Sequence, residues 1–80
     1  MQPQEIELLI HAAFDGAIVQ VQSDDNTHFA ALIVAREFAG KSRILRHQQV
    51  YRSLGALVGN DIHALSIQAF TPEEWAAQQG

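Results

Sequence analysis

The 80-residue chain predicts an α+β fold of order α-β-β-α-β-α, with helices packed on one face of a three-stranded sheet. Three observations predict it: a helical stripe near the amino terminus, two extended runs bracketing a polar tip, and a late strand running straight into a capped helix. In the opening segment Ile6, Leu9, Ile10, Ala13 and Phe14 follow the spacing of one helical face, and Asp15-Gly16 stops it. Residues 17–22, "AIVQVQ", are β-branched and alternate at their end, as a half-buried strand does. The cluster "SDDNT" supplies turn chemistry and "HFAALIVA" resumes the extended pattern, so the two runs make a hairpin. Ser42 can cap a helix through "RILRHQQVYRSLGALV", on which His47, Val50, Tyr51, Leu54, Leu57 and Val58 share one side, and Gly59 is placed to end it. The strand "IHALSIQAF" follows. Thr71-Pro72-Glu73-Glu74 then offers a capping threonine, a proline at the first helical position and a glutamate that can bond back, with Trp75 folding onto the domain.

Residues 1–80 fit one domain, and a chain this short buries only roughly 60% of the surface its unfolded form exposes. With 48% hydrophobic and 18% charged residues it has material for one core. No apolar run approaches the ~20 residues of a membrane helix, and "MQPQEIELL" lacks the basic start of a signal peptide, so the expectation is a soluble cytoplasmic protein. The absence of cysteine excludes a disulfide framework and a thiol nucleophile, leaving any metal to histidine or carboxylate. The net charge of −4 disfavours non-specific DNA binding. Its distribution is uneven: Arg36, Lys41, Arg43, Arg46 and Arg52 face only Glu37 within residues 36–52, a local charge of +4.

"AREFAGKS" imitates a phosphate-binding loop, but Ala35 stands where glycine is needed and Arg36, Glu37 and Phe38 fill the stretch that must converge on phosphate. No serine has an elbow or triad context, and Asp24-Asp25 and Glu73-Glu74 read as turn and capping residues, so no enzyme is expected. The histidines carry the remaining chemistry. His11 reads as an exposed helical residue. His47, on the inward side of its helix, reads as satisfied by a backbone carbonyl or a neighbour, with a ligand as the alternative. Taken alone, His28 reads as a solvated strand start and His63 as a histidine at the edge of the core.

Read together, "FAGKSRILRHQQVYRSL" and "IHALSIQAFTPEEW" closely resemble the signature of the BolA-like family: Phe38 and Gly40, Arg46-His47 with Val50 and Leu54, His63-Ala64, and Thr71-Pro72-x-Glu74-Trp75. The resemblance spans nearly the whole chain and implies a class II KH-like fold. It also implies an adaptor in iron-sulfur cluster trafficking or iron sensing, pairing with a monothiol glutaredoxin. The pair shares a [2Fe-2S] cluster whose other ligands are the glutaredoxin cysteine and the thiol of glutathione. His63 matches the family's ligand position. A second ligand in the family comes from the loop between the first two strands; "SDDNT" holds neither histidine nor cysteine, and His28, just past it, is the nearest candidate.

Replacing thiolate by imidazole raises a cluster's potential, and imidazole binds metal only when neutral, so cluster sharing should weaken as pH falls through the histidine's titration. Lys41, Arg43, Arg46 and His47 are the candidate partner contacts, able to steer a partner or meet the carboxylates of glutathione, or else a solvated helix face. The rival reading is a KH-like nucleic-acid-binding transcriptional regulator, for which Gly40-Lys41-Ser42-Arg43 lacks the second glycine of the clamping loop.

Overall fold

The computed structural model describes residues 1–58 and 64–79. Helix α1 spans Pro3–Ala13, strands β1 and β2 span Ile18–Gln22 and His28–Val34, helix α2 spans Arg43–Leu54, strand β3 spans Ala64–Phe70, and helix α3 spans Pro72–Gln79. The order is the one the sequence predicts. Within the sheet the strands lie in the order β1-β2-β3, the first pair antiparallel and the second parallel. A hairpin suffices for the antiparallel pair, whereas the parallel pair requires the α2 crossover.

The hairpin register sets Val19 opposite Ile33 and Val21 opposite Ala31, which puts the buried residues of both strands on one face. On that face lie Ile6 and Ile10 of α1 and Val50 and Leu54 of α2, all at most 3% exposed. Each such apolar side chain contributes about 1.5–3 kcal/mol by burial. Phe38, fully buried in a short 3-10 turn before α2, packs its ring 5.2 Å from that of Phe14 and joins the two helices. The stripe predicted for α1 is narrower in the fold, since Leu9 and Ala13 remain exposed while Ile6, Ile10 and Phe14 go inside.

Glu5 reaches back to the Gln2 amide at 2.8 Å, and Ser42 Oγ accepts from the Leu45 amide at 3.3 Å, capping α1 and α2. Helix α2 ends earlier than the sequence predicts. Gly55, at φ 60 and ψ −135, breaks it after Leu54, because that backbone conformation is one L side chains rarely adopt. A 3-10 turn over Gly55–Leu57 follows, so Leu57 and Val58 reach the core from a turn rather than from the helix. Gly59, expected as the terminator, lies outside the described residues, as do Ile62 and His63 at the start of the predicted third strand.

The start of α3 forms as its sequence dictates: the Glu74 amide donates to Thr71 Oγ1 at 3.1 Å and the Thr71 amide to Glu74 Oε1 at 2.8 Å. Trp75 then lays its ring 5.5 Å from Phe70. Side chains also manage the sheet edges, since the Val21 amide donates to Glu7 on α1 at 2.9 Å and Ala69 O accepts from Arg46 on α2 at 3.1 Å. Edge groups engaged this way are poor templates for another strand.

Candidate functional site

His28 opens β2 on the face away from the core, in step with exposed Ala30, and its side chain is 69% exposed. What holds it is the polar tip. Asp25 Oδ1 accepts the amides of Thr27 and His28, each at 2.9 Å, and Oδ2 lies 2.8 Å from Nδ1 of the His28 ring. Ser23 Oγ donates to the His28 carbonyl at 2.6 Å and accepts the Asn26 amide at 2.9 Å, while Asn26 takes the left-handed conformation, φ 57, that asparagine tolerates. The backbone N–H of His28, then its ring, then the Thr27 amide hold the Asp25 carboxyl well below the usual carboxylate range. It stands as an acceptor beside an imidazole that faces solvent.

Because β2 and β3 run parallel, their first residues lie at one end of the sheet, and His28 pairs directly with Ala64. Ala64 is the residue after His63, which itself lies outside the described residues.

The basic flank divides in two. Lys41, Arg43, Arg46 and His47 line a groove of about 630 Å³ between the start of α2 and β3, with Glu74 at its border. Arg46 is committed within the fold. Its Nε donates to Lys41 O at 2.9 Å, one guanidinium nitrogen reaches Ala69 O at 3.1 Å, and two nitrogens grip Glu74 at 2.6 and 3.1 Å. The group also lies 5.9 Å above the Phe38 ring and is only 12% exposed. The Arg46 guanidinium first, and the Thr71 amide after it, lower the Glu74 carboxyl to about 2. Lys41, Arg43 and His47 keep their side chains without a hydrogen-bond partner among the described residues. His47 is half-buried, and among the described residues neither a backbone carbonyl nor a neighbouring side chain, the partners expected for it, hydrogen-bonds its ring. His11 is exposed on α1, as its position in the stripe implies.

Among the described residues no three histidine, aspartate or glutamate side chains come together around a point where a metal would sit. The coupling of Asp25 to His28 escaped the sequence reading. The signal for it is an aspartate three residues before a histidine across a tight turn, a spacing that returns the carboxylate to the strand it caps.

The family model for the BolA-like protein matches residues 2–74. The acid stress protein IbaG of Escherichia coli K12 is 40% identical over 77 residues, covering 95% of this chain and 90% of that protein. A DNA-binding transcriptional regulator BolA of Haemophilus influenzae is 42% identical over 52 residues, or 65% of this chain, and the match spans only half of that regulator's length. The structure of a bolA protein homologue from Coxiella burnetii superposes with a TM-score of 0.84 at 31% identity, covering 95% of this chain and 97% of that one. Among the described residues no helix is long and apolar enough to cross a membrane.

Proposed function

This chain belongs to the BolA-like family, and from that premise we propose that it is an adaptor in iron-sulfur cluster trafficking or iron sensing. It binds a monothiol glutaredoxin and lends histidine to a [2Fe-2S] cluster shared with that partner and glutathione. The observation that supports this most is the His28 imidazole, exposed on the rim of the sheet, anchored by one nitrogen and opposite the residue that follows His63. A cysteine-free chain with isolated imidazoles suits a role in which another protein supplies thiolates, and nitrogen in place of sulfur raises the potential of such a cluster. His63 is the first ligand in this reading and His28 the second. Lys41, Arg43 and His47, whose side chains have no hydrogen-bond partner among the described residues, are the contacts for the partner's acidic groups.

The reading is checked by mixing this protein and a monothiol glutaredoxin with iron, sulfide and glutathione. The expected outcome is a visible absorption and circular dichroism spectrum distinct from that of the glutaredoxin alone, lost in His63→Ala and weakened or altered in His28→Ala. An unchanged spectrum in the double variant would remove both histidines from the cluster.

A second reading has its own support: a relative is named as a DNA-binding regulator, and the groove carries Lys41 and Arg43, whose donors have no partner among the described residues. If the groove holds a phosphate backbone, binding to short DNA persists near physiological salt and Lys41→Glu lowers the salt slope by about one unit. Binding that vanishes at that salt for every sequence tried discards this reading.

A further inference from the structure

We infer that Asp25 is a positioning residue which fixes the His28 ring in the tautomer that presents Nε2 to a metal. The inference rests on the reading of His28 as a ligand and concerns how that ligand is prepared. Asp25 has two oxygens with separate duties. Oδ1 is held by the backbone of its own turn through the Thr27 and His28 amides, which fixes the plane of the carboxylate. Oδ2 is thereby aimed at Nδ1 of the ring, 2.8 Å away.

Ser23 Oγ also approaches Oδ1, at 3.3 Å, but a hydroxyl has one proton, and the 2.6 Å contact with the His28 carbonyl takes it. That second bond pins the backbone of the very residue whose ring Asp25 orients. An ionised carboxylate only accepts, so Nδ1 must be the protonated nitrogen, and in the neutral ring the lone pair lies on Nε2. No hydrogen-bond partner engages Nε2 among the described residues, and the ring is mostly exposed. A histidine that ligates a metal through one nitrogen while giving the other N–H to a carboxylate has its orientation set and its basicity raised.

The arrangement gives Asp25 a contact beyond its own turn, to the ring at the start of β2. It also separates Asp25 from Asp24, an exposed residue of the same turn with no such contact.

The test begins on the isolated, ¹⁵N-labelled protein, with no metal present. Long-range proton-nitrogen correlation at a pH where the ring is neutral should report protonated Nδ1 and bare Nε2 for His28. In Asp25→Asn the single carbonyl oxygen stays with the two backbone amides and the NH₂ group faces Nδ1. The ring proton should then move to Nε2, where it blocks coordination. In the mixture with glutaredoxin, iron, sulfide and glutathione, Asp25→Asn should lower the affinity for the shared cluster about 10- to 100-fold. A wild-type ring protonated on Nε2 overturns the inference without any variant, and so does Asp25→Asn with unchanged cluster affinity while His28→Ala loses it. If His28→Ala itself leaves the cluster untouched, the ligand reading falls and the inference falls with it, a result distinct from failure of the tautomer alone.

Discussion

Two acid-base pairs of nearly equal length do opposite work. Arg46 and Glu74 meet at 2.6 Å, His28 and Asp25 at 2.8 Å. The first pair links residues far apart in sequence, on α2 and α3, and its arginine also grips β3 and the backbone before its own helix. Its cation is 12% exposed. The second pair closes a single turn, and its imidazole is 69% exposed. A bond that spans three elements and removes a guanidinium from water belongs to the fold. A bond that costs little burial and leaves a ring in solvent fixes that ring while adding little to the fold. Distance alone does not separate a brace from a site; burial and sequence separation do.

The largest effect should come from breaking the brace. Arg46→Ala deprives Glu74, Ala69 O and Lys41 O of their donor, and should cost about 2–3 kcal/mol of stability, read as a lower denaturant midpoint at unchanged slope. The His28 tautomer should not move. Next, the brace carries a pH signature. The Glu74 carboxyl is lowered from 4.5 to about 2, so its stabilisation is fully present above 4.5 and is lost as pH falls through that window. Wild type should therefore exceed Glu74→Gln in stability at neutral pH, and the gap should close between about 4.5 and 2 in an acid titration followed by circular dichroism. The smallest effect on stability should come from His28→Ala, within about 0.5 kcal/mol, because an exposed ring held by one local contact supports little of the core. A large loss there would make both pairs braces and erase the contrast.

Much of this contrast was legible in the sequence, though unevenly. The α1 stripe, the hairpin and the Thr71–Glu74 cap are local patterns, and local patterns are what periodicity and turn chemistry report. The end of α2 was misplaced because two glycines compete to stop it, and only the backbone reveals that Gly55 has adopted the conformation that breaks the helix. The charge of Arg46 is visible in sequence but its partners within the fold, Ala69 and Glu74, are not: tertiary folding brings them together. Asp25 reads from sequence as a turn residue, and it is one, but a carboxylate has a second oxygen, and nothing in the chain's order shows where that one points. The placement of His28 opposite Ala64 depends on a parallel register that no single segment encodes.

The central claim is that imidazole nitrogen from this chain binds the shared cluster. It is tested most directly by electron-nuclear double resonance on the reduced complex with glutaredoxin, with only this protein's histidines labelled with ¹⁵N. The account predicts strongly coupled nitrogen whose signals change with the label and diminish in His63→Ala and His28→Ala. A cluster with no nitrogen coupling responsive to that label would contradict it.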